Sequence, residues 1–178
     1  MKKKELAILL SNLKTVCHSP DLEQYALPGS LAAEILITAY YFGDIHQKDV
    51  ADLGCGSGIL GIGALLLQAN SVLFVDCDCD ILRTARENCA EATKGLKAGR
   101  ATFHCSNIQD IVTRVDTVVE NPPFGTRRRG EDVQFLKKAT EIASVVYSLH
   151  KKGNAAFLEK QTEHMLTHIR EMRFPLFR

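Results

Sequence analysis

Apolar positions in this chain follow two different periods. Near the start, Leu6, Leu9, Leu10, Leu13 and Val16 recur at the spacing of one helix face, which predicts an amphipathic N-terminal helix. Residues 31–41 predict a second helix, entered through Pro28 and Gly29. From residue 49 onward, short apolar runs take turns with helical patterns. Strands are expected at 49–53, 71–76, 100–105, 115–120 and 144–149. Helices are expected at 58–68, 79–93, 131–143 and 154–168, with an extended piece from Ile169. A run such as Val72 to Val75 shows no polar alternation, as in a parallel strand covered by helices on both faces. The predicted fold class is α/β: a Rossmann-like, mainly parallel sheet with helices on both faces, which binds ligands at the carboxyl ends of its strands. One domain is expected over 1–178, with a helical N-terminal part at 1–42 and the Rossmann-like core at 49–178.

Bulk properties narrow the function classes. With 46% hydrophobic and 24% charged residues, the chain has the composition of an ordinary globular protein. Its first residues only superficially resemble a signal peptide, because Glu5, Ser11 and Asn12 break the apolar stretch. No apolar run is long enough to span a bilayer. A cytoplasmic location is expected, with nucleus or nucleolus open if the source is eukaryotic. The formal net charge of +1 means that a nucleic-acid substrate would have to be met by a local basic patch. Six cysteines, at 17, 55, 77, 79, 89 and 105, lack the paired spacing of a zinc site and are expected to be free thiols. No metal is expected, and the six histidines suggest no ligand set.

Two motifs carry chemistry. The first closes the strand at 49–53: Asp52, Gly54, Gly56, Ser57 and Gly58 form an Asp-Leu-Gly-x-Gly-x-Gly turn that opens a helix at Ile59. Glycines at alternate positions allow a sharp turn and let a ligand lie against the backbone. Asp76, at the end of the next strand, is placed to accept hydrogen bonds from ribose hydroxyls. The glycine pattern is not the G-x-G-x-x-G of nicotinamide sites; it resembles motif I of class I S-adenosylmethionine methyltransferases. Asn107 and Ile108 fall where such folds contact adenine, although a helix cap explains Asn107 nearly as well.

The second motif, Asn121-Pro122-Pro123-Phe124, follows the fourth strand. An adenine amino nitrogen is a poor nucleophile because its lone pair is delocalised into the ring. Acceptors on its two hydrogens, the Asn121 side-chain oxygen and the Pro122 carbonyl, would expose that lone pair. The prolines fix the backbone that holds the carbonyl, and Phe124 would stack on an extruded base. Arg127, Arg128 and Arg129 follow directly and could contact RNA phosphates.

Asn121 to Thr126, Phe135 to Lys137, Val146 to Lys151 and Leu22 to Tyr25 together resemble the methyltransferase-like protein 5 family. The resemblance covers nearly the whole chain. It implies N6-methylation of an adenosine in small-subunit ribosomal RNA with S-adenosylmethionine as cofactor. It further implies that Gln24, Gly54, Ser57, Ile59 and Asp76 line the cofactor, with Asn107 and Ile108 near its adenine, and that Asn121 to Phe124 hold the base. Eukaryotic members work with a small zinc-containing activator, expected here on the sheet edge at 100–105. Where the family sheet would add a last strand, this sequence stops at Arg178. An unpaired edge is therefore expected, with lowered stability or coverage by another chain. Two alternatives remain open at this stage: a protein glutamine-N5 methyltransferase, and a catalytically silent interaction module of the same fold.

Overall fold

The computed structural model describes residues 1–15, 27–123, 130–153 and 155–162. Two helices lead the chain, α1 (Lys3–Ser11) and α2 (Gly29–Tyr41). They precede β1 (Asp49–Leu53), α3 (Ile59–Leu66), β2 (Ser71–Asp76), α4 (Cys79–Ala92) and β3 (Arg100–Cys105). A single 3-10 turn (Ile108–Asp110) leads to β4 (Val115–Glu120), α5 (Glu131–Ile142), β5 (Ala143–Ser148) and α6 (Ala155–Thr162).

The five strands form one sheet in the order β3-β2-β1-β4-β5, and every pairing is parallel. Side chains alternate between its faces as the pleat requires. Val50, Val72, Phe74 and Val119 face the layer built from α1 to α4. Ala51, Leu53, Leu73, Val75 and Val118 face Ala139 and Ile142 of α5. This is the doubly wound arrangement expected from the apolar runs. The strand order reverses between β1 and β4, where Leu53 pairs with Glu120. The glycine turn and the Asn-Pro-Pro segment therefore leave neighbouring strands side by side, at the switch point where such folds form ligand crevices.

Two details differ from the sequence reading, and one expectation falls outside the described residues. Leu6 and Leu10 of α1 are buried, but Leu9 is 43% exposed, so the apolar face is narrower than its periodicity implied. The last helix is described only to Thr162; its expected continuation, the extended piece from Ile169 and the question of a further strand lie outside the described residues. The free-thiol expectation fails at one pair: Cys79 and Cys105 form a disulfide, with Cα atoms 5.3 Å apart. Their sequence separation of 26 conceals this. The register pairs Asp76 with Cys105, which sets the first residue of α4 beside the last residue of β3 at a spacing a disulfide spans. Cys55, Cys77 and Cys89 are free.

No helix among the described residues is long and apolar enough to cross a membrane.

Candidate active site at the strand ends

The glycine turn begins at Asp52, which is 1% exposed. Its Oδ2 accepts the backbone N–H of Gly61 at 2.7 Å. Because the residue that precedes α3, Gly58, has no side chain to cap it, this carboxylate from the preceding strand satisfies one of the helix's open donors. Gly54 and Gly56 both adopt positive φ, at 64° and 52°. The Phe135 ring of α5 occupies the space above Gly54, 2.7 Å from where a Cβ would stand. At Gly56, by contrast, the nearest atom to such a Cβ is Ile81 Cδ1 at 3.8 Å, so the backbone surface is open there.

Asp76 anchors this turn from β2. One of its oxygens accepts Gly56 N–H at 2.8 Å and the other accepts Asp78 N–H at 3.0 Å. It is buried, at 8% exposure. Burial raises its pKa, opposed by those two N–H donors. Ser57 is held by Asn88 of α4, whose Nδ2 donates to the Ser57 carbonyl at 3.0 Å. The same amide donates to the Lys14 carbonyl and accepts from Lys14 N–H, at 2.9 and 3.0 Å. Asn88 thus ties the N-terminal segment to the glycine turn, a role no motif signalled. Ile59 is the first residue of α3. Asn107 Oδ1 accepts Gln109 N–H at 3.0 Å and caps the 3-10 turn, while Ile108 is buried beside it.

The Asn121 side-chain oxygen is buried and has no hydrogen-bond partner. An orphaned buried acceptor costs roughly 1–3 kcal/mol, which a ligand N–H would recover. Pro122 is buried and Pro123 partly so. Gln24, Phe124 and the arginines at 127–129 lie outside the described residues.

Sequence reasoning missed the buried group next to this motif. Glu120 is fully buried, and its Oε1 accepts Ser148 Oγ–H at 2.6 Å. Its Oε2 has no partner. Ser148 Oγ also lies 2.8 Å from His150 Nε2, and His150 Nδ1 lies 4.0 Å from Asp132 Oδ2. The strand's own alternation carried the signal, since Glu120 shares a face with buried Val118. Among the described residues no group of side chains could hold a metal.

Burial pushes Asp52 up to about 7 and Glu120 up to about 8, and the negative charge of Asp76 adds to the first shift and that of Asp52 to the second. In the unfolded chain both would titrate near 4. The folded state therefore holds protons that unfolding releases across the range between those values. The stability from keeping these groups neutral is full below about pH 4 and is lost as pH rises through about 7–8. We expect the urea midpoint to fall between pH 5 and 8.5. Glu120→Gln should flatten that decline by removing one of the two groups.

The profile of the methyltransferase small domain matches residues 31–172. Zebrafish (Danio rerio) rRNA N(6)-adenosine-methyltransferase METTL5 is 38% identical, over 87% of this chain and 78% of its own length. The chain belongs to the methyltransferase small domain family, with METTL5 among its relatives. An uncharacterized protein of Methanocaldococcus jannaschii is 34% identical, over 98% of this chain and 84% of its own. The crystal structure of a proposed RNA methyltransferase from Pyrococcus horikoshii superposes with a TM-score of 0.81 at 45% identity. That match covers 89% of this chain and 79% of the other. The chain is a methyltransferase. The open backbone at Gly56 and the Asp76 carboxylate that anchors it suit a nucleoside cofactor.

Proposed function

We propose that this methyltransferase transfers the methyl group of S-adenosylmethionine to the exocyclic amino nitrogen of an adenosine in ribosomal RNA of the small subunit. The observation that carries this reading is the unpartnered, buried Asn121 oxygen at the end of β4, next to a nucleoside-shaped turn on β1. The names of the METTL5 relatives support adenosine over glutamine as the acceptor, since Asn-Pro-Pro chemistry by itself serves either nitrogen.

Bound S-adenosylmethionine supplies an electrophilic methyl on a cationic sulfur. In this reading Asp76 accepts the ribose hydroxyls, the backbone from Gly54 through Ser57 to Gly58 and Ile59 carries the amino-acid end, and Asn107 and Ile108 border the adenine. Asp52 holds α3 and the turn in shape. Gln24 would close the cofactor from the N-terminal side. Asn121 and the Pro122 carbonyl accept the two hydrogens of the target amine, Pro123 keeps that carbonyl in place, and Phe124 stacks on the base. Positioning and fixed dipoles then carry most of the rate. Arg127, Arg128 and Arg129 would meet the backbone phosphates. A partner on β3 belongs to the same reading and is supported by its place as an outer strand with four of six residues exposed. That this partner holds zinc rests on the family resemblance alone.

The test is transfer of labelled methyl from S-adenosylmethionine to small-subunit rRNA, followed by nucleoside analysis. Label in N6-methyladenosine supports the reading; label confined to protein glutamine overturns it. Gly56→Ala gives a second check. The added Cβ meets no protein atom closer than Ile81, but it costs roughly 1–2 kcal/mol of backbone strain and stands on the open ligand surface. Cofactor affinity measured by calorimetry should fall by about tenfold or more, about 1.4 kcal/mol, with the fold retained.

A further inference from the structure

The roles assigned above to cofactor and base leave out a hydrogen-bonded row that begins at Glu120, the residue before the Asn-Pro-Pro segment. It starts at the unpartnered Oε2 of Glu120, runs through Glu120 Oε1 to Ser148 Oγ at 2.6 Å, and continues to His150 Nε2 at 2.8 Å. It ends where His150 Nδ1 faces Asp132 Oδ2 of α5 at 4.0 Å. A fully buried carboxyl with one oxygen unused is costly, and packing alone would be served better by an apolar residue after Val119.

We propose that Glu120, Ser148 and His150 form a path that removes the proton released by the methylated amine. This rests on the amino-methylation reading above. As the amine's lone pair forms the N–C bond, the electron pair of the broken C–S bond stays on sulfur. The nitrogen then carries its methyl, two hydrogens and a positive charge, and it must lose one proton. Neither Asn121 nor the Pro122 carbonyl can keep it, since both are neutral acceptors. Glu120 Oε2 accepts that proton while the proton on Oε1 passes to Ser148 Oγ. The Ser148 hydroxyl proton passes to His150 Nε2, leaving an imidazolium whose Nδ1–H faces the Asp132 carboxylate. Charge and atoms balance with no further reactant; Glu120 ends neutral with its proton on Oε2, and rotation of the carboxyl returns it to its starting form.

The resting states suit this direction. Burial holds Glu120 protonated, up to about 8. In that neutral form Oε1–H donates to Ser148 Oγ, reversing the contact in which Ser148 donates to the carboxylate. The Ser148 hydroxyl proton is then left for His150 Nε2. Burial lowers the His150 pKa, opposed by Asp132, so Nε2 is free to accept. Among the described residues, the charged groups recorded against the row are Asp52 from β1 and Asp132 from α5. Asp52 disfavours the ionised form of Glu120 and helps keep it loaded. Glu120, which takes the proton from the amine, is the catalytic residue of the path; Ser148 and His150 act through it.

Single-turnover transfer to rRNA is the test, with pH profiles for wild type, Ser148→Ala and Ser148→Thr. Ser148→Ala should slow transfer by about tenfold or more near neutral pH, with cofactor affinity unchanged and the loss shrinking at high pH. Ser148→Thr keeps the hydroxyl and should restore most of the rate and the wild-type profile. A Ser148→Ala enzyme matching wild type at every pH overturns the path. An equal, pH-independent loss in both variants also overturns it, since that marks a packing role. A wild type that transfers nothing to RNA fails the functional reading itself and this proposal with it; a working wild type with an unaffected Ser148→Ala fails the path alone.

Discussion

Asn121→Ala is expected to lower single-turnover methyl transfer by about 10²–10³-fold, the loss seen when one fixed dipole is removed from a reacting centre. Cofactor affinity should not change, because the groups assigned to the cofactor lie on the glycine turn and at Asp76, Asn107, Ile108 and Gln24. Stability should hold or rise by up to about 1 kcal/mol, since the Asn121 oxygen is buried without a partner in the folded protein. Few active-site substitutions combine these three outcomes. Calorimetry with S-adenosylmethionine, thermal unfolding and a labelled-methyl assay on one preparation would separate them. Loss of cofactor binding in the variant would place Asn121 in the cofactor site and undo its assignment to the base. A rate within threefold of wild type would remove it from the chemistry.

Phe74→Ala should cost about 3–5 kcal/mol of folding stability, the range for emptying a large aromatic site in a core. Phe74 is fully buried in the centre of the sheet's helix-covered face. Its ring stacks on Phe103 of the neighbouring strand, with centroids 4.6 Å apart and planes 9° from parallel. It also fills the space beside Gly61, where an added Cβ would overlap it. That contact lets α3 lie close to the sheet and bring the Gly61 N–H onto Asp52. The cavity would therefore loosen the first turn of α3 and the glycine turn attached to it, so weaker cofactor binding should accompany the stability loss. Urea unfolding with an unchanged slope would assign the loss to the native state. A cost under about 1 kcal/mol would mean that the neighbours collapse into the site.

The two effects arise from different kinds of information in the chain. The Asn121 assignment comes from local sequence, because an Asn-Pro-Pro segment after a parallel strand restricts the backbone through its own covalent chemistry. The same holds for the turn from Asp52 to Gly58, where alternate glycines allow positive φ. Uninterrupted apolar runs likewise disclosed the strands and their burial on two faces, because periodicity is a local property. The family resemblance extended these readings to substrate and cofactor, and the METTL5 relatives agree with it.

The sequence by itself determined the order of strands and helices, the doubly wound class and the two motifs, since each depends on residues a few positions apart. Only the tertiary structure decided what distant residues do to one another. The β1–β4 crossing set Glu120 beside Leu53, and the β4–β5 pairing set Ser148 beside Glu120. The β2–β3 register brought Cys105 within bridging distance of Cys79, although the thiols had looked free. Asn88 acquired its grip on Lys14 and Ser57 in the same way. Histidine and serine carry no marker of such roles in a linear pattern, because a hydrogen bond depends on distance in space, and parallel pairing joins residues that the chain keeps far apart.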